Sequence, residues 1–221
     1  MSGLLETIEI ETGPSPRAAV IWLHGLGADG HDFEPIVPEL GMASAPAVRF
    51  VFPHAPRQPV TINGGAVMRA WYDVAGDGRQ DAAGVRASQA RVEALVARER
   101  ARGIAARSIV LAGFSQGGAM ALQTGLRHPE RLAGLLALSG YLPLPESVAD
   151  EISQANRDVP IFMAHGAHDP LIPLSWAMRS RAHLKILGYA VEWREYPMPH
   201  SVCAEEIADI GRWLRVVLPA A

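Results

Sequence analysis

Short runs of apolar residues alternate with longer stretches of helical periodicity along most of this chain. The apolar runs are nearly uninterrupted, which is typical of strands that are covered by helices on both faces. Six runs are predicted as strands: Ala18–His24, Arg49–Phe52, Ser108–Ala112, Leu135–Ser139, Val159–His165 and Val191–Tyr196. Alternation of apolar and polar residues over Leu4–Glu11 predicts a further, antiparallel edge strand.

Four stretches between or after these runs have apolar residues at helical spacing. They are predicted as helices: Gly84–Arg102, Gln116–Leu126, Ser175–Leu187 and Glu205–Val217. Residues 53–81 are rich in Pro and Gly and are predicted as a long loop over one end of the sheet. Strands that alternate with helices predict an α/β fold with a mostly parallel sheet. No repeat or linker divides residues 1–221, so we expect one domain.

Composition and charge narrow the class of protein. Hydrophobic residues make up 49% of the 221 positions and charged residues 19%, as in a globular domain. The formal net charge of -3 argues against a nucleic-acid partner, because phosphate binding needs clustered positive charge. No secretory signal and no apolar run of membrane-spanning length is present, and Cys203 is the single cysteine. We expect a cytoplasmic protein without stable membrane insertion; a homodimer is left open.

The chemistry is indicated first by Gly113-Phe114-Ser115-Gln116-Gly117, a G-x-S-x-G motif. It lies directly between a predicted strand and a predicted helix, which is the context that a nucleophile elbow requires. Glycines two residues on either side leave room for the neighbouring backbone, so the serine side chain is exposed at the edge of the sheet. The motif predicts Ser115 as the nucleophile of an α/β-hydrolase-type esterase, with the N–H of Gln116 as one oxyanion donor.

A serine nucleophile needs a histidine base, and the histidine needs a carboxylate to orient it. In this fold the chain order is serine, acid and histidine, each after a strand. Asp169 follows the strand Val159–His165, and His200 follows the strand Val191–Tyr196. We therefore predict a triad of Ser115, Asp169 and His200. The loop His24-Gly25-Leu26-Gly27 follows the first parallel strand and can supply the second oxyanion donor.

A second glycine motif supports a competing interpretation. Residues 25–30 match G-x-G-x-x-G after a strand, which alone would indicate a dinucleotide-binding oxidoreductase. Pro35 and Pro38 interrupt the helix that this fingerprint needs, and no carboxylate lies about 20 residues further on. An NAD(P)-dependent oxidoreductase is kept as the minor alternative.

With these residues in place, the sequence resembles the bacterial carboxylesterase branch of the phospholipase/carboxylesterase family, which also contains acyl-protein thioesterases and lysophospholipases. Five motifs carry the resemblance: Trp22-Leu23-His24-Gly25-Leu26-Gly27, Thr61-Ile62-Asn63-Gly64-Gly65, Trp71-Tyr72-Asp73, Gly113-Phe114-Ser115-Gln116-Gly117-Gly118 and Tyr196-Pro197-Met198-x-His200. The resemblance implies an α/β-hydrolase fold without a large lid domain, without a metal and without an organic cofactor. It implies the triad given above and an oxyanion hole built from the backbone amides of Leu26 and Gln116.

The resemblance also implies a small-molecule or lipid-like ester as substrate. We expect a serine carboxylesterase acting on short to medium acyl chains, with an acyl-protein thioesterase or a lysophospholipase as the alternative. Trp71 and Tyr72 are expected to line the acyl pocket. Pro199 departs from the glycine that is usual before the base in bacterial members. Because proline fixes φ and lacks an N–H, we expect the loop that carries His200 to differ in conformation from that of the bacterial members.

Overall fold

The computed structural model describes residues 3–42, 46–75 and 79–218, and a seven-stranded sheet is its central feature. The strands are β1 (Thr7–Glu11), β2 (Ala18–Leu23), β3 (Val48–Pro53), β6 (Ile109–Phe114), β7 (Gly134–Leu138), β8 (Ile161–Gly166) and β9 (Val191–Tyr196). They are ordered β1-β3-β2-β6-β7-β8-β9. Strand β1 pairs antiparallel with β3, and every other neighbouring pair is parallel. The edge strand and the mostly parallel sheet predicted from the pattern are both confirmed.

Five α-helices connect and cover these strands in the described part of the chain. They are α1 (Ala82–Ala101), α2 (Gln116–Arg127), α3 (Pro145–Glu151), α4 (Leu174–Ile186) and α5 (Ala204–Val217). Four of them are the predicted helices, with ends that differ by no more than two residues. The short helix α3 is not predicted by the sequence analysis. It begins with a proline, and seven residues are too few for apolar periodicity to be recognised.

Helices lie on both faces of the sheet, as the continuous apolar strands predicted. In β2, Val20 and Trp22 pack into a core with helix α5 and a 3-10 helix over Glu34–Leu40. Ile21 and Leu23 point to the opposite face, into a core formed with α1 and α2. Strand side chains alternate between two apolar layers, so both faces of the sheet are removed from water. These are the features of an α/β-hydrolase fold, and the described residues include no large lid domain.

The expectation of a long structureless loop over residues 53–81 is wrong in one part. Strands β4 (Arg57–Val60) and β5 (Ala66–Arg69) pair as an antiparallel hairpin outside the main sheet. Gly64 and Gly65 have φ angles of 67° and 80°, which glycine adopts at little cost, and they make the tight turn possible. The hairpin has only four residues in each strand and contains a proline, so its apolar alternation is too weak to identify in the sequence.

Candidate active site

Ser115 occupies a strained turn between the end of β6 and the start of α2. Its backbone angles are φ 55° and ψ -119°, a conformation that residues other than glycine rarely adopt. Strain of this kind persists only where the surrounding structure enforces it, and it is concentrated at functional sites. The turn places Ser115 on the wall of a cavity at the carboxyl edge of the parallel strands.

Two glycines make this turn possible, for the steric reason that the motif suggests. A Cβ atom on Gly117 would lie 2.1 Å from the carbonyl oxygen of Leu23, at the end of β2. A Cβ atom on Gly113 would lie 2.3 Å from the carbonyl oxygen of Gly117. Neither position can accept a side chain without movement of the backbone. The central strands and helix α2 therefore meet at van der Waals contact beneath the serine.

The predicted acid and base form a hydrogen-bonded pair. Asp169 lies in the turn after β8, and its Oδ2 atom is 2.6 Å from Nδ1 of His200, in the loop after β9. The Oδ1 atom accepts the backbone N–H groups of Leu171 at 2.8 Å and Ile172 at 2.9 Å. The carboxylate is thus held by its own turn while one oxygen faces the imidazole. The imidazole ring rests against Phe114, with ring centroids 4.7 Å apart, directly before Ser115.

The loop that carries His200 is accommodated by another close backbone contact. A Cβ atom on Gly166 would lie 2.3 Å from the carbonyl oxygen of Pro199. The N–H of His168 donates to the carbonyl of Met198 at 3.1 Å, and the N–H of Ser201 donates to the carbonyl of Pro199 at 2.9 Å. With proline at position 199, His200 is still within hydrogen-bond distance of the carboxylate.

A second histidine, His165, contacts the same carboxylate from the buried side. Its Nε2 atom is 2.8 Å from the carbonyl oxygen of Ile172 and 3.4 Å from Oδ2 of Asp169. Because a carbonyl can only accept, Nε2 of His165 carries the proton. The position of His165 at the end of β8 is the only signal for this contact in the sequence. It stabilises the turn that presents the acid.

The predicted oxyanion amides, those of Leu26 and Gln116, belong to residues that both line the cavity beside Ser115. Gln116 is the first residue of α2, so its N–H has no acceptor within the helix. The positive end of the helix dipole adds to the attraction for an anion at this point. Leu26 lies in the loop after β2.

The cavity at Ser115 has a volume of about 430 Å³, within the range of small-molecule sites. Its lining residues are mostly apolar: Gly25, Leu26, Ala28, Asp32, Ile62, Asn63, Val74, Phe114, Ser115, Gln116, Tyr141, Leu171, Ile172, Trp176 and His200. Tyr141 and Trp176 pack edge to face, with ring centroids 5.6 Å apart. Leu171 and Ile62 are exposed. A larger and more open depression of about 760 Å³, between Ile10 and Met42, includes none of the predicted site residues.

Trp71 and Tyr72, which are expected from the resemblance to line the acyl pocket, are both buried and are not among the residues that line this cavity. The Tyr72 hydroxyl is instead 2.8 Å from the hydroxyl of Tyr141, which does line the cavity. Tyr141 and Trp176 are lining residues that the sequence did not predict. Tyr141 follows the end of β7, a position typical of site residues in such sheets, whereas Trp176 lies within α4 and no local signal marks it.

The geometry does not support the oxidoreductase alternative. Residues 25–30 open no helix, and the first helical element after them is the 3-10 helix Glu34–Leu40, with Pro38 inside it. A dinucleotide fingerprint depends on a long helix whose N-terminus faces the pyrophosphate. Residues 3–42, 46–75 and 79–218 contain no group of three or more His, Cys, Asp and Glu side chains that could hold a metal ion.

Comparison with known proteins identifies relatives over nearly the whole chain. A family model described as phospholipase/carboxylesterase matches residues 6–218. Acyl-protein thioesterase 1 of Neurospora crassa is 42% identical over 214 residues, which are 91% of this chain and 87% of that protein. Acyl-protein thioesterase 1 of Gibberella zeae is 37% identical over 230 residues, 99% of this chain and 98% of that protein. These relatives are fungal, whereas the sequence motifs had suggested the bacterial branch.

Solved structures give the same result for the fold. The crystal structure of Arabidopsis thaliana SOBER1 superposes with a TM-score of 0.85 at 31% identity, over 92% of this chain and 100% of that one. Acyl-protein thioesterase 2 of Zea mays superposes with a TM-score of 0.86 at 28% identity, over 97% and 99% of the two chains.

None of the helices in the described part of the chain combines the length and the apolar character that a membrane-spanning helix needs.

Proposed function

The chain belongs to the phospholipase/carboxylesterase family, and we propose that it is an acyl-protein thioesterase that forms an acyl-enzyme on Ser115. It is a serine hydrolase of the α/β-hydrolase superfamily. The name of three curated relatives, acyl-protein thioesterase 1, at 36% to 42% identity, supports a thioester substrate over the carboxylic esters of short to medium acyl chains expected from the sequence. In this proposal residues 1–221 act as a single catalytic domain.

The proposed reaction proceeds in two acyl transfers. His200 takes the proton of the Ser115 hydroxyl through Nε2 while the oxygen attacks the thioester carbonyl carbon. The backbone N–H groups of Leu26 and Gln116 stabilise the oxyanion that forms. The tetrahedral intermediate collapses, the carbon–sulfur bond breaks, and His200 returns the proton to the departing thiolate. Water then repeats the sequence on the acyl-enzyme and releases the carboxylic acid.

Asp169 has a supporting role in this mechanism. Its Oδ2 atom, 2.6 Å from Nδ1 of His200, keeps the proton of the neutral imidazole on Nδ1 and leaves Nε2 free to act as the base. It also stabilises the imidazolium that forms during each transfer. The N–H groups of Leu171 and Ile172 bind the other oxygen of the carboxylate, so the acid does not need to reorganise during turnover.

The observation that carries the proposal is that Ser115 and His200 both line one cavity, whose lining is mostly apolar. Val74, Ile172 and Trp176 belong to the same lining as Ser115 and His200, which suits a hydrocarbon chain bound beside the reacting carbonyl. The mouth of the cavity is open to solvent, and Leu171 at the mouth is 69% exposed. An open mouth can admit an acyl chain that is attached to a large protein.

The experiment compares matched acyl donors. One peptide is octanoylated on a cysteine sulfur, and its partner is octanoylated on a serine oxygen in the same sequence; octanoyl lysophosphatidylcholine is the third substrate. We expect the highest kcat/KM on the thioester peptide and no hydrolysis of any donor by Ser115→Ala. A higher kcat/KM on the oxygen ester would contradict the thioesterase proposal and indicate a carboxylesterase. Preference for the lipid would make it a lysophospholipase.

A further inference from the structure

Trp71-Tyr72-Asp73 is one of the motifs that carry the family resemblance, but none of its three residues lines the cavity at Ser115. Trp71 is 1% exposed and lies between the β4–β5 hairpin and helix α1. The three polar groups of Trp71 are each bound by a different element of the structure. Two of these bonds connect the start of α2 with the loop after β2, the two segments that carry the proposed oxyanion amides.

The first connection runs to the helix that follows the nucleophile. The backbone N–H of Trp71 donates to Oε1 of Gln116 at 2.8 Å, and Nε2 of Gln116 donates to the carbonyl of Tyr72 at 2.8 Å. The amide side chain of Gln116 therefore bonds to both residues of one buried dipeptide. Since the N–H of Gln116 is a proposed oxyanion donor, the side chain of the same residue anchors that donor to Trp71.

The second connection runs to the loop after β2. The indole Nε1–H of Trp71 donates to the carbonyl oxygen of His24 at 2.9 Å. The imidazole ring of His24 in turn has its Nδ1 atom 2.7 Å from the carbonyl oxygen of Gly25, to which it donates. Nε2 of His24 accepts the N–H of Ala55 at 3.0 Å. Burial lowers the pKa of His24 to about 4, against the opposing effect of its bond to Gly25, so the ring carries one proton at neutral pH.

Planarity of the peptide bond extends this restraint to Leu26. The carbonyl of Gly25 and the N–H of Leu26 belong to one trans peptide unit, so they point in opposite directions in one plane. A ring that fixes the carbonyl of Gly25 therefore fixes the direction of the Leu26 N–H. The N–H of Gly27 donates to the carbonyl of Arg69 at 2.9 Å, which holds the far side of this loop against β5.

We propose that Trp71 is a positioning residue for the oxyanion hole, because it joins the carrier of one amide, Gln116, to the carrier of the other, the His24–Leu26 loop. The carbonyl of Trp71 accepts a hydrogen bond from the hydroxyl of Ser88 in α1, so the residue is fixed to the body of the fold. Preorganised donors stabilise an oxyanion because they need no rearrangement as charge develops. Trp71 touches no substrate atom in this scheme and acts through the two amides.

The test is Trp71→Phe, which removes the indole N–H and keeps an aromatic ring. The substrate is p-nitrophenyl octanoate, an oxygen ester, so the result does not depend on a preference for thioesters. Complete removal of one oxyanion donor lowers the rate about 10²–10³-fold. Trp71→Phe leaves both donors in place but less firmly held, so we expect kcat to fall about 10-fold and KM to stay within about twofold of the unmodified value. Equal kcat in the variant and the unmodified enzyme would overturn the proposal, and so would a change confined to KM.

Binding of a transition-state analogue gives a readout that a simple packing defect does not move. An alkyl trifluoromethyl ketone becomes an oxyanion when Ser115 adds to it, whereas the matched methyl ketone binds as a neutral carbonyl. We expect Trp71→Phe to weaken the trifluoromethyl ketone by the same factor as kcat and to leave the methyl ketone unchanged. Equal weakening of both ketones would assign Trp71 to packing alone and overturn the proposal.

Trp22→Phe is the matched control. Trp22 is also 1% exposed, and its indole nitrogen has no hydrogen-bond partner among the described residues. Its ring stacks on Phe33 in the opposite core, with centroids 5.2 Å apart. We expect this variant to lose stability without losing kcat or affinity for the analogue; an equal loss in both variants would overturn the proposal.

A closer isostere of tryptophan tests the same role with less disturbance of the packing. Replacement of Trp71 by β-(3-benzothienyl)alanine puts a sulfur atom in place of the N–H and preserves the shape of the ring. The same fall in kcat is expected in this protein, and full activity would overturn the proposal. The inference rests on the proposed hydrolase mechanism. An unmodified enzyme that hydrolyses no ester or thioester would contradict that mechanism, whereas a fully active Trp71→Phe contradicts only the role of Trp71.

Discussion

Oδ2 of Asp169 lies 2.6 Å from Nδ1 of His200, across 31 positions of sequence. The two residues come from turns after neighbouring parallel strands, β8 and β9. Gly166 makes their approach possible, because any side chain there would collide with the carbonyl of Pro199. The distance is short for a nitrogen–oxygen hydrogen bond, as expected when the acceptor is a carboxylate.

Asp169→Asn tests this relationship with almost no change of shape. The amide lacks the negative charge that stabilises the imidazolium, and it favours the wrong tautomer of His200. We expect kcat on p-nitrophenyl octanoate to fall by roughly 10³–10⁴-fold, as for such acids in serine hydrolases generally. Asp158→Asn, at the amino end of β8 and opposite Arg131 at the surface, is the control that should keep full activity. An Asp169→Asn enzyme with more than a tenth of the activity would remove Asp169 from the mechanism.

Gly117→Ala tests the steric basis of the elbow. Its Cβ atom would lie 2.1 Å from the carbonyl oxygen of Leu23, so the backbone of α2 or β2 has to move. We expect the free energy of unfolding to fall by more than about 3 kcal/mol, since core overpacking that cannot relax is among the most costly changes. Urea denaturation of the variant gives the value.

Gly64→Ala separates this collision from the effect of losing a glycine. Gly64 has a φ angle of 67°, but apart from its chain neighbours no atom of the described residues lies within 4 Å of its Cβ position. The cost there is expected to be only about 1 kcal/mol, from the left-handed conformation alone. Similar losses in the two variants would show that the close approach of α2 and β2 does not matter for stability.

Ser115→Gly tests whether the nucleophile is held at the expense of stability. The conformation with φ 55° and ψ -119° costs about 1–3 kcal/mol for a residue with a side chain. Glycine removes this conformational cost, but its larger entropy in the unfolded chain offsets part of the gain in stability. We expect Ser115→Gly to be about 1 kcal/mol more stable than Ser115→Ala in urea denaturation, with both variants inactive. Equal stability would mean that the turn stores no strain.

Glu206→Gln tests a buried carboxyl group near the start of α5. Burial raises the pKa of Glu206 to about 8 from its ordinary 4.5, while the nearby backbone of Cys203 acts in the opposite direction. The unfolded chain therefore loses this proton near pH 4.5, but the folded protein keeps it until about pH 8. Between these values the unfolded state binds fewer protons, so stability falls as pH rises.

Removal of the titrating group should flatten this dependence. Between pH 5 and pH 8 we expect the free energy of unfolding of the unmodified protein to fall by at least about 1 kcal/mol more than that of Glu206→Gln. Urea denaturation at the two pH values measures this difference. Glu205→Gln is the matched control, since Glu205 is the exposed neighbour in the same helical turn. A parallel pH dependence in the unmodified protein and Glu206→Gln would show that Glu206 ionises normally in the folded state.

The sequence by itself determined the sheet and the order of the candidate residues. Uninterrupted apolar runs such as Ile109–Ala112 mark doubly covered strands, because burial on both faces leaves no polar positions. The glycines around Ser115 marked the elbow, because a turn this tight admits no side chains. The positions of Asp169 and His200 after successive strands followed from the shared direction of parallel strands, whose carboxyl ends meet at one edge.

Only the tertiary structure decided what surrounds that edge. The β4–β5 hairpin has little periodicity of its own, and contacts with the loop after β2 hold it in place. The resemblance predicts Trp71 as a pocket residue, but its indole N–H donates to the carbonyl of His24, 47 positions away. Trp176 and Tyr141 line the cavity together because α4 packs against the loop that follows β7, where the two rings meet edge to face. These roles depend on distant partners, and spacing along the chain contains no information about such contacts.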